Sequence, residues 1–229
     1  MGRLWRGSDV GVESLPMLVL AVPGRPPSSL SSEGRRTMQL TVREAVAADA
    51  AQVVRVRTDA WRAAYAGVIP PAYLDELDAT AAPARLAEYL RCRPDGRRYL
   101  VAEQGGLVTG FVIAGTERPS IESARGERRG FGEVHALYVH PDAWFTGTGA
   151  TLLRTATDAL ADAGHHTLSL WVLERNEQAR RFYERHGWRP DGARDELLLG
   201  GALLQELRYT RPARRLSELP RARGARAAV

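Results

Sequence analysis

The chain has no lysine, a single cysteine and no apolar run long enough to cross a membrane. The lone cysteine, Cys92, excludes an intramolecular disulfide and a zinc site built from several cysteines. It suits a reducing, cytoplasmic setting. The apolar stretch Met17 to Val22 is too short to span a bilayer. Asp9 and Glu13 interrupt the region before it and no small-residue cleavage site follows, so it does not make a signal peptide. Without lysine there is no Gly-Lys-Ser/Thr, hence no P-loop. Every basic residue is arginine, which reads as base composition of the gene rather than function.

The net charge is +5, which by itself would suggest a nucleic-acid or membrane partner. Its distribution argues against both. Residues 1–37 carry +2 and residues 211–229 carry +5, which leaves −2 on 38–210. The basic charge belongs to the two ends. Pro23, Pro26, Pro27 and the serine-rich stretch after them are linker chemistry. The expected organisation is a flexible leader or over-extended start over 1–37, one folded domain over 38–210, and a disordered arginine-rich tail over 211–229.

Within the middle segment strand-like and helix-like patterns alternate. Gln39 to Glu44 alternates apolar and polar residues like a strand. Val53, Val56, Ala60 and Ala64 keep the spacing of an amphipathic helix that ends at Gly67. Pro70 and Pro71 open a second helical region, and a further piece runs from about Ala82 to Cys92. Arg97 to Gln104 and Leu107 to Thr116, joined by Gly105-Gly106, predict a hairpin. Glu117 to Gly130 reads as a charged loop. Phe131 to His140 predicts a strand, Gly149 to Ala163 a helix stopped by Gly164, and His166 to Leu173 a strand. Asn176 to Gly187 predicts a helix; Glu196 to Leu199 and Ala202 to Tyr209 predict the last strands. The order β-α-α-β-β-β-α-β-α-β-β indicates an α/β (α+β) fold, a mixed sheet with helices packed on it.

Between Phe131–His140 and the next helix stands Gly147-Thr148-Gly149. A helix N-terminus offers unpaired N–H groups and the positive end of the helix dipole, and glycine lets a backbone approach an anion. Strand, Gly-x-Gly, helix is thus either a phosphate cradle or a plain tight turn. Thr146, Thr148 and Thr151 offer hydroxyl donors to such a cradle. No third glycine follows at the offset a dinucleotide fingerprint needs.

The stretch His135 to Leu153, taken with Leu168 to Ala193, resembles the GCN5-related N-acetyltransferase (GNAT) family. The second segment carries L-x-V-x-x-x-N-x-x-A-x-x-F-Y-x-x-x-G-W, and the resemblance covers most of Gln39 to Thr210. It implies a mostly antiparallel sheet of about seven strands with about four helices, splayed between strands 4 and 5. It implies acetyl-CoA as cosubstrate, no metal, and a small-molecule or peptide amine as acceptor. Transfer would be direct, in a ternary complex, because Cys92 falls outside both motifs. A catalytically idle CoA-binding or sensor module is the competing reading. Many members are homodimers, and the sequence leaves that open.

The resemblance assigns residues to roles. The turn from Trp144 through Phe145, Thr146, Gly147, Thr148 and Gly149 to Ala150 would hold the pyrophosphate. Many members place a basic residue before the first glycine, where this chain has Thr146. Arg154 either reaches a phosphate or is a solvated surface arginine. Backbone groups of Leu137, Tyr138 and Val139 would meet the acetyl-CoA arm, and an N–H there would polarise the thioester carbonyl. Asn176 and Ala179 would line the arm, although asparagine is also a favoured N-cap where this helix begins. Tyr183 would be the general acid for the departing thiolate, with Phe182 packed in the core.

Freeing an amine of pKa ~10.4 from its proton at pH 7 costs roughly 4–5 kcal/mol. Glu133 is the candidate base, and period two places His135 on its face. An exposed strand-end glutamate is the other reading. His135 and His140 are five apart, which a regular strand puts on opposite faces, so they are not expected to form a metal pair. Trp61 and Tyr65, four apart on one helix, either line the acceptor pocket or pack in the core.

Overall fold

The computed structural model describes residues 39–65, 83–93, 96–118, 130–199 and 201–213. The expected leader over 1–37, the helical region opened by Pro70 and Pro71, residues 119–129 of the charged loop expected over 117–130, and residues 214–229 of the tail expected over 211–229 lie outside the described residues; Arg211 and Pro212, assigned to that tail, belong to the last strand. The elements run β1 (Thr41–Glu44), α1 (Ala50–Tyr65), α2 (Pro83–Arg91), β2 (Arg98–Gln104), β3 (Leu107–Thr116), β4 (Phe131–Val139), α3 (Thr148–Asp162), β5 (Thr167–Leu173), α4 (Glu177–Arg185), β6 (Arg189–Leu199) and β7 (Ala202–Pro212). That is the order read from the periodicities.

Among the described residues the strands form one seven-stranded sheet in the order β1-β2-β3-β4-β5-β7-β6. All neighbouring pairs are antiparallel except β4 with β5. Gly105 and Gly106 join β2 to β3 with φ of 62° and 78°, angles that glycine takes without penalty. One core cluster packs Val56, Ala60 and Trp61 of α1 and Leu86 of α2 against Val101 and Ile113. The other packs Leu152, Ala156 and Leu160 of α3 and Phe182 of α4 against Val112, Val134 and Leu170. Each face of the sheet thus has its own helices. Helix α3 lies close on β3 at Gly110, where a Cβ would stand 2.9 Å from both Leu152 Cδ1 and Tyr138 O.

Two departures from the expected pattern matter. Strand β6 starts at Arg189, seven residues before Glu196, and β7 continues past Tyr209 to Pro212. Pro190, Asp191 and Gly192 read as a turn, but β6 is the edge strand and its register shifts between Pro190 and Arg194. An edge with an irregularity tolerates both proline and glycine. The second departure is in β4. Its pairing with β3 goes from Ala114↔Val134 to Ile113↔Ala136, so His135 is an extra residue without a partner in the register.

That bulge positions the site. The parallel pairing of β4 with β5 covers only Phe131↔Thr167, Gly132↔Leu168 and Glu133↔Ser169. It stops where the bulge begins. A bulge bends its strand and increases its twist, which turns Val134–Val139 away from β5 and opens the sheet. The extra residue also shifts the alternation beyond it. His140 reaches Asp59 of α1, Nε2 to Oδ2 at 3.0 Å, while His135 stands 3.8 Å from Glu133 on that same side. The regular-strand expectation that His135 and His140 face opposite ways is thereby corrected.

Candidate active site

Where β4 and β5 part, Leu137, Tyr138 and Val139 have no partner on β5 in the strand register; Tyr138 O points to β3, which leaves the backbone groups of Leu137 and Val139 toward the opening. Beside them, between the start of α3 and the end of α4, is a cavity of about 160 Å³ whose walls include Val139, Trp144, Phe145, Gly147, Phe182 and Arg185. Trp144 is an anchor: its indole N–H donates to Val139 O at 2.8 Å. Phe145 has φ 61° and Gly147 φ 90°, so the turn doubles back tightly before α3. Gly147 is the N-cap and has no side chain to accept from the first-turn N–H groups. With Gly149 and Ala150 also in the wall, those donors and the helix dipole offer an anion site.

Of the threonine hydroxyls expected as further donors, those of Thr146 and Thr148 serve the turn itself. Thr146 Oγ1 donates to Ala143 O at 2.8 Å and lies 2.9 Å from Thr148 Oγ1, which is fully buried. A hydroxyl that gives its proton to a carbonyl has none left for a phosphate. Arg154 is exposed on α3 and is not in the cavity wall. The charged residue in that wall is Arg185, at the C-terminal end of α4. Sequence reading missed it, although a signal existed: Arg185 is three residues after the buried Phe182, which puts both on one helix face.

The opening also lets side chains from opposite faces of the sheet meet. Tyr183 belongs to the α3–α4 core, while Tyr65 and Tyr138 belong to the α1–α2 core. Yet burial, then the neighbouring Tyr65 and Tyr138, push the Tyr183 hydroxyl well above the usual phenol range. It stays protonated at any working pH. Among the described residues that hydroxyl is completely buried and has no hydrogen-bond partner. A buried polar group left without a partner is unfavourable and asks for an explanation. Its ring is held edge-on by Phe182 and Trp188, at 5.3 and 6.0 Å between centroids.

Asn176 performs the capping role in full, accepting from Ala179 N–H at 3.0 Å. Its amide Nδ2 also donates to Tyr65 Oη at 3.4 Å, a link across the opening. Ala179, in the first turn of α4, is completely buried. Tyr65, Leu173 and Asn176 line a second cavity of about 300 Å³ on the α1 side. Trp61 stands behind Tyr65, edge-on at 5.6 Å, and is core. The aromatic pair therefore divides into one residue at a cavity and one in the packing.

Glu133 is not an exposed strand-end residue; it is 1% exposed. Its Oε2 accepts from the Arg118 backbone N–H at 2.9 Å, and its Oε1 from Arg118 Nε at 2.8 Å, with Arg118 Nη2 at 2.6 Å. Burial alone would raise its pKa; the Arg118 guanidinium, then His135, outweigh that and hold it below the usual carboxylate range. Burial pushes His135 down to about 4, although Glu133 acts the other way. At neutral pH the cluster is an ionised carboxylate, a guanidinium and a neutral imidazole. Among the described residues no group of three or more His, Cys, Asp or Glu is arranged to hold a metal.

The sequence profile of the family described as "Acetyltransferase (GNAT) family" matches residues 55–188. The chain is 28% identical over 170 residues to the uncharacterized N-acetyltransferase YuaI of Bacillus subtilis, covering 73% of this chain and 90% of that one. It is 33% identical over 131 residues to an uncharacterized N-acetyltransferase of Mycobacterium tuberculosis, Rv2669, covering 55% and 76%. In fold it is similar to yncA of Salmonella typhimurium, solved with its cofactor acetyl-CoA, with TM-score 0.60, 21% identity, and 80% and 99% of the two chains covered. It is also similar to the PaiA N-acetyltransferase of Thermoplasma acidophilum in complex with coenzyme A, with TM-score 0.58, 19% identity, and 74% and 98% covered.

Proposed function

The chain belongs to the GNAT acetyltransferase family and is an acyltransferase, and from that premise we propose that it moves the acetyl group of acetyl-CoA directly to a primary amine in a ternary complex. The observation that carries this is Tyr183, a protonated hydroxyl kept fully buried and without a partner among the described residues. A departing thiolate would give it one. The first-turn N–H groups of α3 take the pyrophosphate, with Arg185 supplying the cation that Thr146 does not. The stretch of β4 at Leu137–Val139 that β5 does not pair lies along the arm and offers an N–H to the thioester oxygen, the Val139 carbonyl being held by Trp144. Ala179 is small enough to let the arm lie against α4, and Asn176 ties that helix to Tyr65.

The amine enters from the α1 side, past Tyr65. Glu133 and His135 are the groups available to receive its proton, through water. Both titrate below neutrality, so each is a weak base for an ammonium. Between pH 6 and 9 neither changes charge, and the rate follows the fraction of free amine. The expected kcat/KM for an acetylated primary amine rises about tenfold per pH unit over that window. A plateau near pH 7 would instead identify a base of near-neutral pKa. Cys92 is exposed at the end of α2, away from both cavities, which supports direct transfer over an acyl-cysteine.

The test is calorimetric titration of the full chain with acetyl-CoA, followed by free-thiol detection with a panel of primary amines. Micromolar binding with amine-dependent thiol release supports the reading. Tyr183→Phe should then lower kcat by about 10²-fold, the lower end for general acid help, with acetyl-CoA affinity within twofold of wild type. Binding without any turnover would point to the idle module, and no binding at millimolar acetyl-CoA would end both readings.

A further inference from the structure

The rim of the cofactor cavity holds a residue in a conformation its side chain disfavours. Phe145 has φ 61° and, among the described residues, is the sole non-glycine with positive φ. The left-handed region is unfavourable for a bulky L-residue. Packing does not compensate, because Phe145 is 60% exposed. The anchoring in this turn comes from its neighbour Trp144, buried and bonded to Val139. An exposed aromatic ring on a strained backbone, on the wall of a cavity, is a combination that persists where a ligand uses it.

Burial gives the cavity a direction: Val139 and Trp144 of its wall are buried, whereas Gly147 and Arg185, at the anion site, are exposed. A thioester lying along this line has its pantetheine arm inside and its pyrophosphate at the turn. What continues outward from the pyrophosphate of coenzyme A is adenosine 3′-phosphate, whose base is a flat aromatic. Phe145 is the exposed ring on that wall.

Resting on the coenzyme A reading above, we propose that Phe145 is the platform on which the adenine ring stacks, its side chain turned out to the rim by the left-handed backbone. Phe145 would then add to the pyrophosphate site in selecting nucleotide-bearing thioesters over short pantetheine thioesters.

The experiment is calorimetry on the full chain with three probes: coenzyme A, adenosine 3′,5′-bisphosphate and pantetheine. It is run on wild type, Phe145→Gly and Phe145→Tyr, with melting curves of each unliganded protein. Phe145→Gly should weaken coenzyme A and the bisphosphate by the same factor, about 5- to 150-fold for the loss of one stacked base. Pantetheine affinity should stay within twofold. The glycine variant should melt no lower than wild type, because glycine accepts this φ freely. Phe145→Tyr keeps a ring and should bind coenzyme A as wild type does. Unchanged coenzyme A affinity in Phe145→Gly overturns the proposal. So does a loss shared equally by pantetheine, or a melting point several degrees lower, which would make Phe145 a structural residue. Wild type that fails to bind coenzyme A overturns the proposed function itself; wild type that binds while Phe145→Gly binds as tightly overturns this inference alone.

Discussion

His135 stays neutral in the folded protein down to about pH 4, while an unfolded histidine takes its proton near pH 6.5. Between those values the unfolded chain binds more protons, so stability falls as pH drops from about 6.5 to 4. From pH 6.5 to 5 the loss from this one group is about 2 kcal/mol. Urea unfolding at pH 7 and pH 5 should show it, and His135→Asn should flatten that slope whatever it does to stability at pH 7. Glu133 acts lower down. Its pKa is depressed, so its contribution is complete above the ordinary carboxylate value and is lost only as pH falls through the folded value. At the cofactor end, Arg185→Ala should weaken coenzyme A about 10- to 100-fold, the range of a hydrogen bond to a charged group. Calorimetry at 50 and 300 mM salt should show the wild-type affinity falling more steeply than the variant's, because the exposed guanidinium is screened.

Elements were more legible than contacts. Spacing together with glycine, proline and cap signals located the described strands and α-helices; the short 3-10 turns at Ala47–Asp49 and Pro141–Ala143 were not read. Strand β6 began too late in that reading because Pro190 and Gly192 carry turn chemistry that an edge strand can absorb. The bulge left no mark, since Phe131 to Val139 reads as an unbroken strand and only pairing with β3 shows His135 to be extra. The inward hydroxyls of Thr146 and Thr148 were hidden for the same reason: the motif names the residues, and a hydrogen bond of 2.8 Å to Ala143 decides their use. At this scale the packing of α3 on β3 is the sharpest constraint. Gly110→Ala would put a methyl 2.9 Å from Tyr138 O, a backbone atom that cannot step aside. It should cost about 1–3 kcal/mol by urea unfolding and, by shifting the start of α3, weaken acetyl-CoA. Asn176→Ala, which removes the cap of α4 and its link to Tyr65, should cost about 1 kcal/mol.

For the whole molecule, a ligand that binds only the folded state adds stability by mass action. Acetyl-CoA at about 100 times its Kd should add about 2.7 kcal/mol, a rise of several degrees in a domain of this size. The gain has a specific mechanical route. Among the described residues the ladder that joins β1–β4 to β5–β7 is three pairs long, Phe131 to Glu133 with Thr167 to Ser169. The sheet is thus two leaves on a short spine, and the proposed cofactor would lie between the pages. Without it, the amides of β4 and β5 that face the opening beyond the spine should exchange with solvent faster than those of the same strands that face β3 and β7, where pairing continues. With it, that difference should narrow, because the pantetheine arm would supply the missing rungs: a substrate that, for as long as it stays, would also be part of the fold.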